Sequence, residues 1–146
     1  MEVRPAEPAD AVAWERMRQQ LWPAPEGEHA AEIAAYFAGD RQDPAEVLLA
    51  VDLEDPVGFA EVSIRSHAEG CRPGRIAYLE GWFVLPEWRG RGVGAALIRA
   101  VEAWGRAQGC RQLASDTELD HAGSATAHRA LGFQEVDRVV CFRKDL

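Results

Sequence analysis

Residues 76–104, IAYLEGWFVLPEWRGRGVGAALIRAVEAW, limit the possible folds of this chain more than any other stretch. The apolar run between Arg75 and Pro86 has aromatic and β-branched residues and no internal proline, so it reads as a buried strand. Pro86 ends it, and the glycine-rich turn Arg89-Gly90-Arg91-Gly92-Val93-Gly94 opens a segment of different period. Val93, Ala96, Leu97, Ala100, Val101 and Trp104 recur there at helical spacing and form one apolar face. A strand, a glycine turn and a helix in this order aim free backbone N–H groups at an anion. Gly90, Gly92 and Gly94 remove side chains where a phosphate must come close, and they allow the positive φ of an anion nest. Arg89 and Arg91 add two permanent positive charges.

Glycines ahead of a helix also serve as plain tight connections, so the wider pattern has to discriminate. The dinucleotide spacing G-x-G-x-x-G is absent, because the glycines run as G-x-G-x-G, and no Lys-Ser/Thr closes a nucleotide loop. What remains is V-x-P-x-x-R-G-x-G-x-G followed by an amphipathic helix. It resembles the acetyl-CoA signature of the Gcn5-related N-acetyltransferases (GNAT), Arg/Gln-x-x-Gly-x-Gly/Ala, met here by Arg89, Gly92 and Gly94. The resemblance implies acetyl-CoA as co-substrate. Its pyrophosphate would lie on the amides of the turn, contributed by Arg89, Gly90, Arg91, Gly92, Val93, Gly94 and Ala95.

Composition agrees with such a protein without specifying it. The 146 residues suit a single domain over 1–146, and 47% hydrophobic with 27% charged residues is a globular balance. No apolar run has the length of a membrane span, and MEVRPAEPAD lacks the basic and apolar regions of a signal peptide. Cys71, Cys110 and Cys141 are odd in number and widely spaced, which disfavours a disulfide framework or zinc site and makes a reducing cytoplasm the expected location. No metal is expected. A net charge of −8 argues against nucleic acid and acidic membranes and favours a cationic substrate, although solubility alone also explains acidity.

Taken in order, residues 1–4 form a short strand, and Pro8 and Asp10 introduce a helix reaching Leu21. Pro23 and Pro25 interrupt it, a second helix spans residues 28–38, and Gly39 stops that one. Residues 46–52 and 57–66 read as antiparallel strands around the acidic turn 53–56. After the glycine-turn helix come a short strand at 113–115, a helix at 121–131 with Asp120 as N-cap, and a last strand at 136–144. The fold class is α+β: a mixed, mostly antiparallel central sheet flanked by helices, the order expected of the acetyltransferase fold.

Acetyl transfer from a thioester to an amine needs a held carbonyl, a neutral amine, donors for the oxyanion and a proton or positive surroundings for the leaving thiolate. In the resembled family the central strand splays beside a bulge, and its free N–H groups bind the acyl carbonyl and pantetheine. That assigns Trp82, Phe83 and Val84 to the coenzyme through their backbones. Glu80 interrupts the apolar strand, where a charge is costly without a partner, so it reads as a site carboxylate or as the partner of an arginine such as Arg65. Asp116 follows a short strand directly, and strand ends are where sites are built. Its neighbours Glu118 and Asp120 leave solvated capping as the alternative; a calcium loop lacks its glycine and terminal glutamate.

The stretches 78–82, 114–120 and 139–144 narrow the resemblance to the aminoglycoside 6′-N-acetyltransferases and extend it over nearly the whole chain. It implies a carboxylate pocket for a polycationic aminoglycoside. Glu80 and Asp116 would be catalytic and substrate-binding, with Asp116 the base or amine-orienting group, and Asp137 would be a further contact or a surface residue. Trp22 either lines the acceptor pocket or closes the core at a helix end. Two departures stand out: His67 occupies a loop position usually held by tyrosine, and His121 stands where an asparagine often contacts the coenzyme. No counterpart of the superfamily's C-terminal acid tyrosine exists, which leaves water to protonate a thiolate whose conjugate acid has a pKa of about 8.5. His128 on the last helix reads as exposed or hydrogen-bonded in a packed helix, with catalysis as the alternative. The implied mechanism is direct transfer in a ternary complex, in a homodimer joined through the C-terminal strand. The rival readings are an acetyltransferase for another cationic amine, such as a polyamine or protein N-terminus, and an acyl-CoA-binding module without turnover.

Overall fold

The structure is a computed structural model that describes residues 1–146. Its strands are β1 (Glu2–Pro5), β2 (Glu46–Asp52), β3 (Asp55–Arg65), β4 (Ile76–Val84) and β5 (Leu113–Ser115). Its helices are α1 (Ala11–Leu21), α2 (Glu28–Ala38), α3 (Val93–Ala107) and α4 (Ala122–Ala130). The strands make one sheet in the order β1-β2-β3-β4-β5, antiparallel except for the parallel pair β4 and β5. The mixed, mostly antiparallel sheet expected from sequence is therefore observed.

Both faces of the sheet are covered, which explains why β2 reads as a continuous apolar run rather than an alternating one. Val47, Leu49 and Val51 join Trp14 and Met17 of α1, Ile33 of α2, and Phe59 and Phe83 in one core. Leu48 and Ala50, on the opposite face, pack with Ala60, Val62, Ala77 and Leu79 against Val93, Leu97, Ile98 and Val101 of α3. Leu97 is wholly buried, so truncation to alanine costs about 2–5 kcal/mol.

Two features of β4 prepare the site. Glu61 of β3 pairs with Gly81 and Val62 with Leu79, so Glu80 is the extra residue of a bulge. On the other edge β5 pairs only with Ala77, Tyr78 and Leu79, which leaves residues 80–84 of β4 without a strand on that side. The two strands part at Leu79 and Ser115.

Several expectations need correction. The last strand expected at 136–144 does not form: no residue beyond Ala130 lies in a helix or strand, and Phe142 is 94% exposed. Alternation and β-branching supply propensity but not an edge to bond to, and within this chain the tail finds none. The hairpin between β2 and β3 turns on Leu53 and Glu54 alone, since Asp52 already pairs with Asp55. His121, not Asp120, is the N-cap of α4; its Nδ1 accepts the Ser124 N–H at 3.1 Å.

Candidate active site

The glycine turn adopts the conformation its composition requires at two of three positions. Gly90 and Gly92 have φ of 72° and 83°, and a Cβ at either would meet no atom within 4 Å. Their freedom from side chains therefore serves the backbone conformation and the open space before α3. Gly94 departs from the expectation: it is inside the helix, and a Cβ there would come within 3.0 Å of the Trp82 indole. Its smallness lets the head of α3 pack on β4. Arg89 is tied to the same strand, Nε donating to the Val84 carbonyl at 2.9 Å, and Arg91 lies 5.1 Å from the Trp88 ring. The turn and the head of α3 follow the unpaired edge of β4 along the chain, and the turn carries two arginines. Such an arrangement fits a phosphate-bearing thioester of coenzyme A. The main chain at Trp82, Phe83 and Val84 runs along that edge, while the Phe83 side chain is buried in the core.

Beyond the bulge four polar side chains are connected. Arg65 grips Glu80 with two hydrogen bonds, Nε at 2.9 Å and Nη2 at 2.7 Å, and its guanidinium lies 3.5 Å from the Tyr78 ring centroid. Glu80 thus has the arginine partner that sequence offered as its plain reading. The Tyr78 hydroxyl donates to Asp116 Oδ2 at 2.6 Å. Burial first, and the Asp116 carboxylate second, push the Tyr78 phenol above its ordinary pKa. Glu80 in turn holds Arg65 above its ordinary value. Asp116 itself is exposed at the end of β5, with one carboxylate oxygen free.

Asp116 opens on a cavity of about 920 Å³ whose lining includes Arg65, Tyr78, Glu118, His128 and Asp137. Asp116 and Asp137, far apart in sequence, share this space, and residues of the C-terminal tail close one side of it. Trp22, His67 and Glu80 are not in the lining. Trp22 instead lays its ring against the backbone of Gly81 and edge-on to Phe59, 6.2 Å between centroids, so it packs behind the bulge. His67 is exposed on the loop after β3, and the Nδ1 of His121 is engaged in capping.

Sequence reasoning missed two groups here. In sequence Tyr78 is one aromatic in an apolar run, and its i, i+2 relation to Glu80 is the only signal that sets it apart. Glu61 is the second: like Glu80 it interrupts an apolar strand, yet it is 2% exposed where Glu80 is partly open. Arg18 Nε lies 2.8 Å from its Oε1 as an ion pair, and Trp14 Nε1 donates to the same oxygen at 3.0 Å. Arg18 also reaches Glu32 at 2.7 Å and lies 5.3 Å from the Trp22 ring centroid. Burial pushes the Glu61 carboxyl above the usual range against the pull of Arg18.

The profile of the Acetyltransferase (GNAT) family matches residues 14–133. Aminoglycoside N(6′)-acetyltransferase type 1 of Klebsiella aerogenes is 49% identical over 99% of this chain and 96% of its own length. The enzyme of the same name from Stenotrophomonas maltophilia is 43% identical over 99% and 93%. Among solved structures, AAC(6′)-Iy in complex with the bisubstrate analogue CoA-S-monomethyl-acetylneamine superposes with a TM-score of 0.90 at 37% identity, covering 99% of this chain and 98% of that one. Apo AAC(6′)-IG from Acinetobacter haemolyticus gives 0.91 at 35% identity, covering 100% and 99%. The chain belongs to the GNAT acetyltransferase family, and within it to the group of the aminoglycoside N(6′)-acetyltransferases type 1.

Proposed function

We propose that this protein transfers the acetyl group of acetyl-CoA to the 6′-amine of aminoglycosides by direct attack in a ternary complex. The observation that carries the reading is a junction. A glycine turn suited to an anion follows the unpaired edge of β4, and where β4 and β5 part Asp116 offers a free oxygen to a large cavity. The bisubstrate complex of AAC(6′)-Iy, which joins coenzyme A to an acetylated neamine on the same fold, supports the choice of both substrates.

In this mechanism the amides from Arg89 to Ala95 hold the pyrophosphate, and the backbone of Trp82, Phe83 and Val84 holds the pantetheine and the acyl carbonyl. His121 lies beside the coenzyme at the head of α4. Asp116 takes the proton of the attacking amine, and the Tyr78 hydroxyl fixes its orientation. Asp137 shares the acceptor cavity with Asp116, Glu80 flanks it through Arg65, Trp22 supports the bulge from behind, and His67 lies on the loop after β3, outside the lining. Glu80 contacts the cationic amine in competition with Arg65, which makes its contribution one of binding rather than proton transfer. The net charge of −8 favours such a partner over nucleic acid, and the cytoplasm is its location.

The protein acts as a homodimer joined through the C-terminal tail. Val139, Val140 and Phe142 are exposed on a segment with strand-like sequence and no strand of its own, and the outer edge of β5 has no partner.

A panel of amines tests the function: tobramycin, spermidine and a peptide with a free N-terminus, each with acetyl-CoA, with the acetylated nitrogen located by NMR. Acetylation at the 6′-position of tobramycin supports the reading. Acetylation only of spermidine or the peptide overturns it.

A further inference from the structure

Resting on that function, we propose that Ser115, coupled to His128, is the acid that protonates the departing coenzyme A thiolate. Ser115 is the last residue of β5 and faces Leu79 at the point where β4 and β5 part. A coenzyme that runs from the glycine turn along the unpaired edge of β4 brings its sulfur to that parting point. The Ser115 hydroxyl is there, 2.8 Å from His128 Nε2.

His128 is held so that this contact is the one it offers. Its ring stands edge-on to Trp82 at 5.3 Å and to Phe133 at 5.1 Å between centroids, wedged between the coenzyme strand and the start of the tail. Nδ1 lies 2.7 Å from the Ser124 carbonyl oxygen, an acceptor without a proton of its own, so Nδ1 carries its hydrogen. The second nitrogen is therefore the one free to gain and lose a proton, and its partner is Ser115 Oγ. Trp82 connects the device to the coenzyme surface, because the same indole packs on Gly94 at the head of α3.

The Tyr78 hydroxyl is unsuited to the task. Its hydrogen is already committed to Asp116 Oδ2 at 2.6 Å. Asp116 follows Ser115 directly at the end of β5, and the two have different partners, Tyr78 for Asp116 and His128 for Ser115. One residue can then accept the amine's proton while its neighbour donates to the thiolate.

The protons balance. Attack forms the nitrogen–carbon bond, and the amine's proton passes to Asp116. The carbon–sulfur bond breaks and its electron pair stays on sulfur. Ser115 Oγ gives its hydrogen to sulfur and takes the Nε2 hydrogen of a protonated His128, whose other hydrogen stays on Nδ1 and is donated to the Ser124 carbonyl. Water restores the proton to His128 and removes the one on Asp116. Ser115 is the catalytic group, and His128 is a positioning and proton-supplying residue behind it.

A less basic leaving group needs no acid, and a selenol is a much stronger acid than a thiol. The test compares acetyl-CoA with its selenoester analogue, acetyl-seleno-CoA, using tobramycin as acceptor, in wild type, Ser115→Ala and His128→Gln. Both variants are expected to lower kcat about 100-fold with acetyl-CoA and to regain most of it with the selenoester. Equal losses with both donors, as misfolding or misplacement would give, overturn the relay; so does an unchanged kcat with acetyl-CoA. A wild type that acetylates no aminoglycoside with either donor overturns the function, and the relay with it, so the two failures are distinguishable. Independently of turnover, 15N spectra of the imidazoles in the free protein should show His128 protonated at Nδ1, with Ser115→Ala moving the Nε2 resonance alone. A proton on Nε2 with bare Nδ1 contradicts the proposal.

Discussion

The Tyr78 hydroxyl donates to Asp116 Oδ2 at 2.6 Å and ties the middle of β4 to the end of β5. A hydrogen bond to a charged acceptor is worth about 1.5–3 kcal/mol, and here it holds one carboxylate oxygen while the other faces the cavity. Tyr78→Phe is expected to lower kcat/KM for tobramycin by about 10–100-fold and to leave acetyl-CoA binding unchanged, as steady-state kinetics and calorimetry would read.

The same pair predicts a pH dependence. The folded pKa of Tyr78 is raised above the ordinary 10.0, so any stability linked to its neutral form is complete below pH 10 and is lost as pH rises through the folded value. Asp116→Asn removes one cause and leaves burial. Ultraviolet titration should then find Tyr78 ionising at lower pH than in wild type, though still above the ordinary range.

Gly92 and Gly94 should fail differently when given a methyl group. Gly92 has φ of 83° and open space around it, so Gly92→Ala costs about 1–2 kcal/mol of backbone strain and should raise KM for acetyl-CoA. Gly94 is helical but crowded by Trp82 at 3.0 Å, so Gly94→Ala costs about 1–3 kcal/mol through packing. Thermal melts beside KM values for the two substrates separate the two effects.

Glu61 and Arg18 form a buried ion pair between β3 and α1. Removing one partner strands the other, so Glu61→Ala should destabilise the fold by about 3–5 kcal/mol in urea denaturation. Glu61→Gln keeps an oxygen for the Trp14 N–H and should lose less.

How far the fold could be read from the chain depended on whether the cause was local. The glycine turn, the proline break at Pro23 and Pro25 and the apolar face of α3 are each specified by neighbouring residues, and all appear where expected. Three expectations failed, and each failure depends on a neighbour. Gly94 is small because of Trp82, His121 displaces Asp120 as cap, and the segment 136–144 lacks an edge. The carboxylates were recognisable as residue types. That Asp116 meets Tyr78, Asp137 shares its cavity and Ser115 meets His128 depends on contacts between elements far apart in sequence.

The tail also bears on assembly. Val140→Asp combined with Phe142→Asp places charges on the exposed apolar positions of 139–142. Sedimentation should show a dimer for wild type and a monomer for the double variant. A wild-type monomer contradicts the dimer.

Thiol release from acetyl-CoA, with kanamycin beside a derivative lacking its 6′-amine, for wild type and Asp116→Ala, tests the function most directly. Turnover by wild type that requires the 6′-amine, and a fall of about 100-fold or more in the variant, is the predicted result. Equal turnover of both compounds contradicts the assigned regiochemistry, and a variant as fast as wild type contradicts the role of Asp116.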